Sequence, residues 1–189
     1  MKKLQRDAVL LSLIKEMKEK GSWCGETHIQ KATYFLQELL GVPMNFEFIL
    51  YKHGPYSFDL SDEVTAMRAD SLLEYKTRLP YGPSLFPTKE GKEFLLQYPK
   101  TLNNYAEKIN FIAEKIGILG VADLERLATA LYVTSNENHE GKSRDDKIIE
   151  LKPHIKIDEA REAVKNIDAI RKEVVEKGLS CSSSDCSAL

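Results

Sequence analysis

Three cysteines and four histidines are the residues whose spacing could support metal or nucleophile chemistry. Cys24 and His28 stand four apart, a separation that could put two metal ligands on one helical face. Gly25 falls between them at an expected helix start, so a buried cysteine beside a capping histidine is the alternative reading. Cys181 and Cys186, in a serine-rich tail, could form half a metal site or a loop disulfide, but no further ligands accompany them and free thiols are the simpler reading. His53, His139 and His154 lie far from one another and from His28, and no pair has zinc-ligand spacing. The chain has no glycine-rich phosphate loop and no nucleophile elbow. Its carboxylates alternate with lysines, as solvated helix faces do, and no acid–base pair stands out. The sequence therefore predicts a non-catalytic protein without metal or cofactor.

Binding is the remaining chemistry, and charge bears on the kind of partner. Residues 26–70 hold three basic side chains, Lys31, Lys52 and Arg68. Against them stand seven acidic ones, Glu26, Glu38, Glu47, Asp59, Asp62, Glu63 and Asp70, a net −4. A surface of that sign repels a phosphate backbone and forfeits the counterion release that drives nucleic-acid binding. Lys76, Arg78, Lys89 and Lys92 leave room for a weak contact to nucleic acid further along. The acidic segment favours a protein partner, and it could occupy a basic groove as a phosphate mimic. Candidate contact residues are Tyr51, Lys52, His53, Gly54, Pro55 and Tyr56 around a Gly-Pro turn, together with Asp59, Asp62 and Glu63 on the helix that follows. Tyr51 and Tyr56 could equally clamp a tight turn in which Pro55 fixes one dihedral.

The elements that must position these residues follow from apolar periodicity. A helix is predicted from about Leu4 to Lys18, with Leu10, Leu13, Ile14 and Met17 inward. A second runs from Glu26 to Leu40 and stops at Gly41, with Ala32, Phe35, Leu36 and Leu39 facing in and Lys31 and Glu38 on the opposite side. Phe46–Tyr51 reads as a strand, and Phe58–Asp70 as a third helix with Leu60, Val64 and Met67 inward. Two short strands, Leu72–Leu79 and Ser84–Pro87, flank the turn Pro80-Tyr81-Gly82-Pro83. A helix capped by Thr88 follows. Three helices and a wing are the order of a winged helix, although here the first small strand falls between helices two and three.

Beyond residue 100 the periodicity is helical. The stripes are Leu102, Tyr105, Ile109, Ile112 and Ile116; Val121, Leu124, Ala128 and Leu131; and Ala160, Ala163, Ile167, Ile170 and Val174. A short helix capped by Ser143 ends before Pro153. The expected fold class is mainly α with a small β component. Residues 1–100 form a winged-helix-like region, 101–178 a helical bundle packed on it as one unit, and 179–189 a flexible tail. In 189 residues, 42% are hydrophobic and 30% charged, an ordinary globular balance. The odd cysteine count and the lack of a signal-like or membrane-spanning segment predict a cytoplasmic protein.

Three stretches resemble a known family. They are Gln30-Lys31-Ala32-Thr33-Tyr34-Phe35-Leu36-Gln37, Tyr51-Lys52-His53-Gly54-Pro55-Tyr56-Ser57 with Leu60-Ser61-Asp62-Glu63-Val64, and the later Leu127-Ala128-Thr129-Ala130-Leu131-Tyr132 with Leu151-Lys152-Pro153-His154. They resemble the YwgA-like and Panacea (SocA-like) antitoxin domains, over roughly Leu4 to Lys177. The resemblance implies a winged-helix-like domain with helical additions that neutralises a toxin by direct binding, as in bacterial and phage toxin–antitoxin and phage-defence systems. A related domain forms the carboxy-terminal half of macrodomain antitoxins, where it imitates DNA. The alternative function is a winged-helix transcription regulator or DNA-associated adaptor that uses the wing lysines.

Overall fold

The computed structural model describes residues 1–78, 81–135 and 141–180. Its first helix, α1 (Lys3–Glu19), ends where Gly21 takes φ +87° and the Ser22 N–H reaches back to Met17 O. The expected stripe of Leu10, Leu13, Ile14 and Met17 is buried, but so are Ala8, Val9 and Leu11. A single stripe understates this helix because it is covered on several sides, by α2, by the wing and by two later helices.

Helix α2 (Glu26–Glu38) stops as predicted at Gly41 (φ +65°), whose N–H bonds to Gln37 O while Val42 N–H bonds to Leu36 O. The predicted strand Phe46–Tyr51 is shorter than expected. Phe46 exchanges both backbone groups with the Gln37 side-chain amide, at 2.9 and 3.0 Å, which replaces a strand ladder there. Only β1 (Ile49–Tyr51) is extended pairing, and its partner is β2 (Gly54–Tyr56), so the Gly-Pro turn makes a hairpin rather than a simple break. Ser57 then caps α3 (Phe58–Ala69) by accepting from the Leu60 N–H.

The wing is β3 (Leu73–Arg78) paired antiparallel with β4 (Tyr81–Pro87). Helix α4 (Lys89–Leu95) follows, and Thr88 Oγ1 accepts from the Gly91 N–H at 2.9 Å, the predicted cap. Gly91 is required by close approach, since a Cβ there would sit 2.2 Å from Leu72 O. The hairpin between α2 and α3 and the wing after α3 are separate two-stranded sheets, so no strand from between the helices joins the wing.

The second half is α5 (Pro99–Ile116), α6 (Val121–Ser135), α7 (Arg144–Leu151) and α8 (Ile157–Glu176). The protein is mainly α with a small β part. Helix α5 lies along α1 and α6 along α2, and buried residues from both halves form one continuous core. Val121 departs from its predicted stripe and is 46% exposed, because it opens α6 instead of packing within it. The tail boundary also moves: Leu179 is buried at 6% exposure, its N–H bonded to Val174 O beyond Gly178 at φ +65°. It closes α8 as the apolar residue of a helix-end motif. His139 and residues 181–189, with Cys181 and Cys186, lie outside the described residues. Among the described residues no helix is long and apolar enough to cross a membrane.

Candidate partner-binding site

The β1–β2 hairpin is held from behind by side chains from both halves of the chain. On α2, Gln30 forms a reciprocal pair with the Ser57 backbone, both bonds 2.9 Å, and Lys31 Nζ donates to Pro55 O at 3.0 Å. From beyond α7, Lys152 Nζ donates to Tyr51 O and, at 2.7 Å, to Lys52 O. Gly54 lies against α6 with φ +87°. A Cβ there would meet Lys31 Cε and Thr129 Oγ1, each at 3.4 Å. Positive φ and close contact both favour glycine. The separate sequence stretches containing Gln30-Lys31, Tyr51–Ser57, Thr129 and Lys152 are therefore one interlocked unit.

Lys31 corrects the sequence reading, which placed it on the polar side of α2. It is 2% exposed, because α6 and the hairpin cover that side. Burial pushes its ammonium down to about 8, against the pull of Glu125. Burial likewise lowers Lys152, again opposed by Glu125. The Glu125 carboxylate is buried among the cationic and imidazole groups. His154 Nε2 lies 3.1 Å away, His53 Nδ1 3.4 Å and Lys152 Nζ 3.9 Å. Charges removed from water persist only when paired in this way.

The hairpin residues predicted as a contact site separate into two groups. Gly54 and Pro55 are buried and structural, whereas Tyr51, Lys52 and His53 are exposed and Tyr56 is half-buried. Asp59 and Asp62 are exposed on α3, as expected. Glu63 is not. It is 9% exposed and meets Lys3 Nζ at 2.6 Å and Arg6 Nη2 at 2.9 Å, both on α1. The net −4 of residues 26–70 missed these two cations because they precede that window, so the outer surface is less acidic than the segment. Glu63 also shares a site with Asp7. Burial, then the hydrogen bond to Glu63, pushes Asp7 up to about 7. Burial alone would raise Glu63, but hydrogen bonds from Asp7, Lys3 and Arg6 override it and hold it at about 2. The pair thus shares one proton below about pH 7 and loses it as the pH rises through that value.

Sequence reasoning missed the most exposed aromatic of the site. Phe58, at the first turn of α3, is 56% exposed beside Tyr51 at 53% and Tyr56. Ile49, two residues before Tyr51 on β1, is 43% exposed. The available signal was phase: Phe58 opens α3 outside the inward stripe of Leu60, Val64 and Met67. Glu26 joins the same cluster from α2, accepting from Tyr56 Oη at 2.9 Å and Ser61 Oγ at 3.3 Å. No family model and no curated protein matches this chain.

The other candidate groups resolve into structure. Cys24 is fully buried, with its thiol directed at Ile14 O and pushed up to about 11 by burial, so it is no thiolate at neutral pH. His28 does not cap α2; its Nε2 lies 3.1 Å from Leu119 O, and burial lowers its proton affinity. Among the described residues no three His, Cys, Asp or Glu side chains gather as metal ligands. A cleft of about 860 Å³ lies between the wing and the α5–α6 connection. The ammonium of Lys18 there is already given to Ser22 O, Trp23 O and Ser84 Oγ. In the wing Lys76 pairs with Glu74 at 2.9 Å, and the Arg78 side chain lies outside what is described; on α4, Lys89 lies 3.7 Å from Glu93 and Lys92 is exposed.

Proposed function

We propose that this chain is a non-catalytic binding module of the antitoxin type, which sequesters a partner protein through the β1–β2 hairpin and the start of α3. One observation carries the reading. Ile49, Tyr51 and Phe58, exposed at 43%, 53% and 56%, form a contiguous apolar patch on a hairpin fixed from behind by Lys31 and Lys152. Clustered exposed apolar residues mark interaction surfaces, and aromatic anchors on a rigid support supply much of the energy of protein interfaces. Glu26, Asp59 and Asp62 border the patch and suit a basic partner, such as a toxin or a nucleic-acid-binding protein. The rival reading, a DNA-associated regulator, is less favoured because Lys76 in the wing and Lys89 on α4 have carboxylate neighbours of their own. We place the protein in the cytoplasm, in keeping with its buried free thiol Cys24.

Photocrosslinking in the native cell tests the proposal. A benzophenone amino acid at position 58 is expected to capture one discrete protein, and the same group at Leu96, an exposed residue just past the end of α4, is not. Loss of that adduct in Tyr51→Ala, with an unchanged melting temperature, completes the expected result. Equal labelling from positions 58 and 96, or none from 58, overturns it.

A further inference from the structure

The aromatic patch is not flat. Tyr51, Tyr56 and Phe58 line a cavity of about 380 Å³ together with Glu26, Lys31 and His53, the imidazole of His53 being turned to Glu125 at 3.4 Å. The ring centroids lie 5.7, 5.9 and 5.1 Å apart, with interplanar angles of 46°, 64° and 73°. The rings meet edge to face or tilted, so each pair covers at most one face of a ring and the outer faces of Tyr51 and Phe58, both over half exposed, are open to an occupant. The Tyr56 and Ser61 hydroxyls both donate to Oε1 of Glu26, which fixes the carboxylate, and none of the described residues donates a hydrogen bond to Oε2. Lys31 keeps its charge at neutral pH, but its ammonium donates to Pro55 O, and the carboxylates of Glu125 and Glu26 offset it against Lys152.

Three requirements on an occupant follow. It must be flat enough to lie against the rings, positively charged to suit their faces and the carboxylate, and able to donate N–H bonds to Glu26. A quaternary ammonium has no N–H. A lysine ammonium is a compact, strongly hydrated charge without a planar face. A guanidinium satisfies all three. We propose that this cavity receives an arginine side chain of the partner protein, its guanidinium stacked on one of the Tyr51 and Phe58 rings, against the edge of the other, and hydrogen-bonded to Glu26. The inference rests on the partner-face reading and specifies its chemistry.

Titration of the ¹⁵N-labelled chain with N-acetyl-arginine amide, and separately with the lysine and glutamate counterparts, tests the inference by amide chemical shifts. Saturable shifts confined to residues 26 and 51–58 are expected with the arginine compound. Binding of the lysine compound should be weaker by about tenfold, since it lacks the planar fork. Glu26→Gln should weaken arginine binding by about tenfold through loss of a charge-assisted bond. Tyr51→Ala with Phe58→Ala should abolish it at unchanged melting temperature, since both side chains are over half exposed. Equal response to arginine and lysine, preference for the glutamate compound, non-saturable shifts, or indifference to Glu26→Gln would each overturn the inference. If position 58 still crosslinks a partner in that event, the partner-face reading stands and only the arginine assignment fails.

Discussion

Lys31 and Lys152 donate from opposite halves of the chain to the same hairpin, Lys31 to Pro55 O at 3.0 Å and Lys152 to Lys52 O at 2.7 Å. Neither lysine is on the hairpin, and both are nearly inaccessible to water, at 2% and 6% exposure. The exposed rings of Tyr51 and Phe58 thus stand on a backbone whose carbonyls are already bound, which lowers the ordering cost of recognition.

Lys152→Met should release this restraint. The substitution leaves two hairpin carbonyls and the Glu125 carboxylate short of a partner, at a cost of about 3 kcal/mol by urea denaturation. Amide exchange should accelerate at residues 51–56 more than in α5. Uniform exchange rates and unchanged stability would show that Lys152 restrains nothing.

Lys31 predicts a rise in stability on the alkaline side. Its folded-state value, about 8, lies below the ordinary 10.5, so between those limits the unfolded chain holds a proton that the folded one has released. Stability therefore increases with pH across that window, by about 1–3 kcal/mol. Cys24, raised to about 11 from 9.0, acts in the opposite sense above pH 9. Subtracting the profile of Lys31→Met removes the thiol contribution, which both proteins share. A flat difference from pH 8 to 10 would refute the assignment.

Asp7→Asn tests the shared proton with Glu63. Because Asp7 titrates near 7 in the fold instead of 3.8, stability associated with its proton is complete below 3.8 and lost as pH rises through 7. Asparagine can stand in for the protonated acid at all pH values. The stability of the variant relative to the wild type should rise between pH 5 and pH 8 by about 1–3 kcal/mol, roughly 3–10 °C in melting temperature. An equal loss at both pH values would mean that the proton is not shared.

Phe35, on the buried side of α2, is 1% exposed. Phe35→Ala should cost about 3–5 kcal/mol as a large-to-small core change. Retained stability with loss of partner binding would reassign the ring to the interface.

Asp59 and Asp62 are the α3 carboxylates free to act on a partner; Glu63 is not, because replacing it would dismantle its pairing with Arg6 and Lys3. Asp59→Lys with Asp62→Lys should fold normally yet slow association with the captured partner several-fold and flatten its salt dependence. Unchanged rate and salt slope would limit these residues to favourable charge at a helix start, worth about 0.3–1 kcal/mol each.

Much of the architecture was legible from local physics. Gly41 stops α2, Thr88 and Ser143 cap their helices, and the apolar periods of α5 and α8 mark buried sides, because these preferences act within a few residues. Tertiary structure alone decided which polar residues are internal. Lys31, Glu63 and Glu125 have the composition of surface residues, and only partners distant in sequence offset the cost of burying them: Pro55 O for Lys31, Arg6 for Glu63, and Lys152 with two histidines for Glu125. The same holds for the candidate site. The order of residues placed Tyr51 and Tyr56 beside a Gly-Pro turn, but the convergence of Phe58 and Glu26 on them depends on how α2 and α3 pack, a long-range relationship that no local pattern records.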